Sequence, residues 1–501
     1  MRTSSLLAVA AASIQHVYTA AYDAEIASAL QGRLRIKDAG FTCSVLEAVL
    51  GSEVVVTFED SKYTAQEQAN YSPTCWLSAA CFVSPEDIDQ VSAAVRIIGA
   101  LQTTFSIRSG GKNLNPGFAS IDESGVLLSL AKLTRLELAE DEGSLNIGPG
   151  VLWDEVYDFV VPKGLVVVGS RYNQVGVPGF LLGGGISFYT NQYGVAIDNI
   201  KSFTVVLASG KVVVASSFKY CDLYKALKGG NSNFGVVVNF ELYTYPHETL
   251  HWQTRGYNPE DAGATLEAYA EFQLTGMSDP LARVDMNIFG DRPIIIMIYN
   301  GGAPPPGTFD AFLNLTVPFE ELVPPTSGTY LELQAIQAIR FINEHPHNYG
   351  ETFSHTINGT YMAEIEQVFL ELMVEPSNTY EDFSFLWVPV AMPASVARDD
   401  NVLGIEPVEQ QWHEWMIEWD NDEYNDAMLE LGRNVTAVLT AATDEAGTLL
   451  PYLFMNTAGG SQPVLQSYGE ENVAFMKAVA KKYDPTAVFQ RQFGGWLLRD
   501  L

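Results

Sequence analysis

The stretch Ser106-Ile-Arg-Ser-Gly-Gly-Lys-Asn-Leu-Asn-Pro-Gly117 decides how the chain is read. It opens as the end of a short apolar strand, Thr103 to Ile107, and runs into a loop with two adjacent glycines. Gly110 and Gly111 accept positive φ at little steric cost, so the backbone can turn sharply and aim several N–H groups at one point. A concave run of amides is an anion nest, suited to a pyrophosphate. A Gly-Gly pair is also an ordinary tight turn, so the neighbouring segments must decide.

Upstream, Ser84-Pro-Glu-Asp87 reads as a helix start, with Ser84 as the cap. Ile88, Val91, Val95 and Ile98 then share one face at helical spacing. Downstream, Val126–Leu130 reads as a strand, and Leu145–Gly150 as a strand entering a second glycine turn at Gly148 and Gly150. A short helix follows with Val151, Trp153, Val156 and Phe159. Gly176, Gly179, Gly183, Gly184 and Gly185 put five glycines in ten positions, and Tyr193-Gly194 follows. A hairpin turns at Ser209-Gly210. A helix closes at Gly229, and the chain enters a strand through Gly235 and Val237. Glycines at this density cost backbone entropy, so they mark main chain that approaches something flat or charged. Strand, helix, strand with glycines at the turns implies an α/β layer with sites at strand ends.

At 501 residues the chain exceeds the size of a single core, so two or more domains are expected. Lys+Arg 28 against Asp+Glu 60 gives −32. Nucleic acid and anionic membranes would repel such a chain, and neither is expected as a partner. Residues 1–21 read as a signal peptide, with Arg2, an apolar run from Leu6 to Ile14 and small residues at Thr19-Ala-Ala21. Sequons begin at Asn70, Asn314, Asn358 and Asn434. With the leader they favour a secreted or secretory-pathway protein. Cys43, Cys75 and Cys81 sit close together and Cys221 apart. That spacing suggests one local disulfide and no metal site.

In the middle of the chain, Trp252–Tyr257, Pro293–Tyr299 and Ser384–Val390 read as strands. Ala262–Phe272, Tyr330–Ile342, Glu406–Trp419 and Glu423–Glu445 read as helices. Trp412, Trp415 and Trp419 recur at three and four residues, which is read as core. His345-Pro-His347 lacks a third metal partner. His413-Glu414 lacks the second His of a zinc protease, and no Gly-x-Ser-x-Gly elbow marks a hydrolase.

Together, Ser106–Gly117, Gly148–Gly150, the Gly176–Gly185 block with Tyr193-Gly194, Gly229–Val237 and the tail (Tyr468-Gly469, Lys482–Gln490, Gly494-Gly495) resemble the FAD-binding domain of the vanillyl-alcohol-oxidase superfamily. More closely, the chain resembles the fungal berberine-bridge-enzyme-like FAD-linked oxidoreductases, over about residues 40–246 and 450–501. The resemblance implies an α+β fold: a two-subdomain FAD-binding domain of the PCMH type at 40–246, a substrate domain at 247–450 with an antiparallel sheet backed by helices, and a C-terminal return at 451–501. It implies that Arg108, Ser109, Gly110 and Gly111 hold the phosphates. Gly148, Gly176, Gly179, Gly183, Gly184 and Gly185 would serve the flavin, and Gly235 and Val237 the adenine or ribose side. Val175 falls where relatives gate oxygen, and Val there is the permissive type. The family disulfide falls on Cys43 and Cys81.

Three positions depart from the family. Lys112 replaces the histidine that bonds the flavin, Tyr172 stands where doubly linked members carry a cysteine, and Thr457 follows Asn456 where several relatives carry a tyrosine. FAD held without covalent bonds is therefore expected. Lys112 is read either as neutralising phosphate or as acting beside the flavin. No general base is assigned; Lys112, Tyr193, Tyr452 and Asn456 are the polar candidates. The leading reading is an FAD-dependent oxidase acting on a small organic substrate with O2, in fungal secondary metabolism. A redox-neutral cyclase or isomerase on the same fold is the alternative, and a secreted binding protein without flavin is the third.

Overall fold

The computed structural model describes residues 38–340, 346–357 and 359–501. The predicted leader, Asn358 and His345 lie outside them. The chain is α+β, built on three principal sheets.

The first sheet holds β1 (Val55–Thr57), β2 (Cys81–Val83), β3 (Thr104–Arg108) and β4 (Gly125–Ser129) in the order β1-β2-β4-β3. β4 runs parallel to β2 and β3. β4 is buried throughout, as expected of a parallel strand covered on both faces. Helices α1 (Ala39–Leu50) and α2 (Ile88–Leu101) cover one face, and Ala79, Ile121 and Tyr63 cover the other. Cys43 of α1 is disulfide-bonded to Cys81 of β2. The cap of α2 is Asp87 rather than Ser84: the Asp87 carboxylate accepts from the Gln90 N–H at 2.8 Å. The Ser84 hydroxyl is buried without a hydrogen bond.

The second sheet is antiparallel: β5 (Leu136–Leu138), β6 (Ser144–Ile147), β7 (Ile200–Val206), β8 (Val212–Ser216) and β9 (Val236–Tyr243), in the order β5-β6-β9-β7-β8. The helices α3 (Trp153–Val160) and the short α4 (Val177–Leu182) lie between β6 and β7 in sequence.

The third sheet spans the middle of the chain. It holds β10 (Leu250–Tyr257), β11 (Ala282–Phe289), β12 (Arg292–Tyr299), β13 (Phe319–Gly328), β14 (His347–Thr356), β15 (Ser384–Met392), β16 (Gln410–Trp419) and β17 (Leu449–Leu450). The order is β13-β10-β12-β11-β15-β16-β14-β17, all antiparallel. β13 carries Pro324 and Pro325 and lies at an edge, where a missing N–H is tolerated. Helices α5 (Ala262–Thr275), α6 (Gly359–Thr379) and α7 (Asn425–Glu445) back one face and close a core with Trp387, Trp415 and Trp419. The other face joins the core of the second sheet through Trp252, Val388, Val390 and Trp412.

One expected helix is a strand. Glu406–Trp419 carried tryptophans at helical spacing, yet 410–419 forms β16, paired with both β14 and β15. The tryptophans divide by strand parity: Trp412 faces the second sheet, Trp415 and Trp419 face the helices. Aromatic-rich segments suit a pleated surface when both neighbours supply backbone partners. The reading of these tryptophans as core holds, since all three are buried. Among the sequons, Asn70 is buried and donates to the Cys75 carbonyl at 3.0 Å, so this fold offers no glycan site there. Asn314 and Asn434 are exposed.

An ion cluster, buried at Lys228 and Asp198 and exposed at Asp400, ties the third sheet's connections to the second. The Lys228 ammonium, fully buried, meets Asp400 at 2.6 Å and Asp198 at 3.4 Å. Removing one partner of a buried pair leaves an uncompensated charge, at about 3–5 kcal/mol. Lys228→Met should lower the thermal midpoint sharply by differential scanning calorimetry. Adding Asp198→Asn should recover part of the loss.

Candidate functional site

A cavity of about 770 Å³ opens between the two N-terminal sheets and the third. Its floor is main chain. The loop Ser109–Asn115 leaves the end of β3, and the segment Ser170–Gly176 leads into α4. These two come into direct contact: a Cβ added to Gly110 would fall 2.6 Å from the Gly176 Cα, inside any permitted approach. Gly111 adopts φ 65°, turning the chain back, and its carbonyl accepts from the Tyr71 N–H at 2.9 Å. Gly179 stands differently, because a Cβ there would meet nothing within 4 Å. The wall is completed by Asn231–Ser232, Gly235–Val237 and the returning segments Phe454–Ala458 and Gln492–Trp496. The roof is the third sheet: Gly350 of β14, Leu386 and Val388 of β15, and Glu414 to Met416 of β16.

The structure brings together Ser109, Gly110, Gly111, Lys112, Val175, Gly176, Gly179, Gly235, Val237 and Asn456 on this lining. Other expected site residues lie off it. The Arg108 guanidinium is buried under the loop, donating to the Gln66 carbonyl at 2.7 Å and the Gln66 side-chain oxygen at 2.9 Å. A Cβ on Gly148 would meet the Leu133 carbonyl at 2.1 Å, so that glycine serves strand packing. Gly183, Gly184 and Gly185 form a layer behind the lining, clasped by Asn456. Its side-chain oxygen accepts from Gly185 N–H at 3.0 Å, and its amide donates to the carbonyls of Gly179 and Phe180 at 3.0 and 3.1 Å. Asn456 thus shapes the floor.

Two of the catalytic candidates lie off the lining. The Tyr193 ring stacks on Tyr245 at 3.9 Å, and its hydroxyl accepts from Gln192. Tyr452 is buried between Trp412 and Tyr468. Neither ring lines the cavity. Both were chosen for chemical type, and long-range packing placed them elsewhere.

Lys112 lies on the lining with its ammonium 3.4 Å from the Tyr71 ring centroid, an unusually close cation–π contact. Burial pushes its pKa down to about 8. Tyr172 and its neighbour Arg171 also line the cavity.

The acid that sequence reasoning missed is Glu414. It is the one carboxylate on the lining among the described residues, and its Oε1 is buried without a hydrogen bond. Burial pushes its pKa up, the Asp285 charge adds to this, and Arg171 and Arg283 oppose it. Reading 410–419 at period two places it: Trp412, Glu414 and Met416 share a face, with the carboxylate between two apolar side chains. His413 points the other way. Its Nε2 lies 2.8 Å from that of His355 in the helix-backed core, and burial holds both rings neutral. Among the described residues no group of acids, histidines and cysteines could hold a metal. His347 pairs with Asp422 at 2.7 Å instead. The free Cys75 is buried, and the free Cys221 is exposed.

Residues 79–216 match the family model described as an FAD binding domain. An FAD-dependent monooxygenase of Penicillium terrestre is 33% identical over 470 residues, covering 92% of this chain and 89% of the relative. An FAD-dependent monooxygenase of Arthrobotrys oligospora is 34% identical over 464 residues, covering 91% and 89%. The chain belongs to the fungal berberine-bridge-enzyme-like FAD-linked oxidoreductases. Among solved structures, the glucooligosaccharide oxidase of Acremonium strictum superposes with a TM-score of 0.75 at 18% identity, covering 90% of this chain and 97% of that one. The 6-hydroxy-D-nicotine oxidase of Arthrobacter nicotinovorans gives 0.73 at 22% identity, covering 88% and 97%. These two share the fold.

The glycine floor fits the family's cofactor. Ser109–Gly111 line the cavity next to Lys112, whose ammonium lies over the Tyr71 ring, and Gly179 leaves bare main chain for a flat group. Asn456→Ala should remove three bonds that hold this floor, at about 1 kcal/mol each. The expected outcome is weaker FAD retention on dialysis, read by flavin fluorescence, together with a lower thermal midpoint.

Proposed function

We propose that this FAD-dependent oxidoreductase removes hydrogen from a small, largely apolar organic substrate lying beneath Glu414, with O2 as final acceptor. FAD, when bound, supplies the hydride acceptor, and the protein supplies binding, orientation and proton handling. The observation that carries the reading is a single buried carboxylate on an apolar roof, facing a floor of bare main chain in one cavity.

In this reading residues 40–246 and 451–501 hold the cofactor, and 247–450 holds the substrate. Ser109, Gly110 and Gly111 present amides to the diphosphate, and Lys112 adds a cation. Gly176 and Gly179 let the flavin approach, while Gly235 and Val237 lie toward the adenine or ribose. Val175 leaves room for oxygen. Glu414 accepts the substrate's proton; Leu386, Val388 and Met416 exclude water around it. Relatives named as fungal monooxygenases and a solanapyrone synthase of Alternaria solani support a role in secondary metabolism. A secretory route remains this reading's expectation for the leader.

The cofactor is held without covalent bonds, because Lys112 and Tyr172 replace the two tethering types. Acid precipitation should release the yellow colour into the supernatant; a yellow pellet would contradict this. Anaerobic addition of substrate should bleach the flavin absorbance, and product without bleaching would favour the redox-neutral alternative. As base, Glu414 works ionised. Its raised pKa means that activity should fall as pH drops through a value above the ordinary carboxylate range. Glu414→Gln should lower kcat about 10²–10⁴-fold and remove that acid limb.

A further inference from the structure

Glu414 belongs to a buried group of four charges. The Arg171 Nη1 donates to Asp285 at 3.1 Å, while its Nη2 stands 3.7 Å from Glu414 Oε1, beyond hydrogen-bond length. Arg283 closes on the other Asp285 oxygen at 3.0 Å and donates to Asn191 at 3.2 Å. Asp285 thus holds two guanidinium groups at hydrogen-bond distance, while Glu414 Oε1 has only the longer 3.7 Å ion pair to Arg171 and no hydrogen bond. The asymmetry has a chemical consequence. A carboxylate in full contact with a guanidinium is a poor base, and one buried with no cation nearby stays protonated. Glu414 sits between these limits, with a cation close and committed elsewhere.

We propose that Asp285 and Arg171 act as a positioning pair that sets the basicity of Glu414: Asp285 draws the Arg171 guanidinium away, and Arg171 keeps the carboxylate ionisable. This rests on the reading of Glu414 as base. The groups facing Glu414 are few. Arg171 and Tyr172 come from the segment before α4, and Arg283 and Asp285 from β11. Its register partners, Thr352 on β14 and Val388 on β15, do not titrate. Lys112 and Tyr71 are the remaining titratable residues on the lining. Burial and the Asp285 charge raise Glu414, while Arg171 and Arg283 lower it. The two members of the pair therefore act with opposite sign.

The test is an infrared titration of the FAD-loaded protein, isolating the Glu414 carboxyl band by subtracting Glu414→Gln. It needs no substrate and no turnover. A charge within this range moves a carboxyl by about 1–3 pH units. Asp285→Asn frees Arg171 for Glu414 and should lower the midpoint by about one unit or more. Arg171→Gln should raise it by a similar amount, and Arg171→Lys should restore it toward the parent. Simple loosening would admit water and lower the midpoint in every variant. Shifts of one sign, or none, overturn the proposal. If Asp285→Asn does not fold, the Arg171 pair decides: a rise with Gln but not with Lys supports it, and equal shifts overturn it. Failure of the functional reading shows separately, as undiminished turnover in Glu414→Gln.

Discussion

Two stretches of main chain touch at Gly110 and Gly176, and the cavity exists because neither carries a side chain. A methyl on either would sit 2.6–2.7 Å from the other's backbone. That contact brings the loop after β3 of the first sheet against the segment entering α4, which belongs with the second. Residues of both stretches then line one space. A single added carbon would separate them, and no rearrangement of flexible side-chain ends relieves a backbone-to-backbone clash.

The third sheet completes the space by serving two cores at once. Its helix-facing side is closed by Trp387, Trp415 and Trp419, which makes the sheet a rigid platform. Its other side shares a core with the second sheet and leaves a patch of β14, β15 and β16 over the floor. Strand alternation puts Glu414 into that patch and His413 away from it. The carboxylate stands on a central strand with its nearest guanidinium nitrogen, from Arg171, 3.7 Å from Oε1, a placement that the proposed reading uses to keep it both fixed and basic. In the proposed reading catalysis is placement: the acid above, the bare chain below, apolar side chains around it.

Much of the cofactor side was legible in the sequence, because glycines that permit a close approach cannot be exchanged for other residues. Ser109–Gly111, Gly176 and Gly179, which the family resemblance singles out, line one cavity. Gly183 to Gly185 serve one layer further back, since the clasp by Asn456 joins segments 271 residues apart and leaves no local trace. The substrate side was read less well. Three tryptophans at helical intervals concealed a strand, and with it Glu414. A short aromatic run satisfies both periods, and only its neighbours β14 and β15 choose between them. Tyr193 and Tyr452 had suitable chemistry but unsuitable surroundings, fixed by partners such as Tyr245 and Tyr468 that local patterns do not reveal. The cysteine pair Cys43 and Cys81, known only through family resemblance, is bonded as expected.

The central claim is that one dinucleotide spans this floor with its ring system beneath Glu414. A crystal structure of the protein with FAD measures this directly. The account predicts diphosphate oxygens within hydrogen-bond distance of the Ser109–Gly111 amides and the flavin ring between Gly179 and the β16 carboxylate. A flavin whose ring lies outside the space under β14, β15 and β16, or phosphates held away from the Gly110 loop, would contradict it.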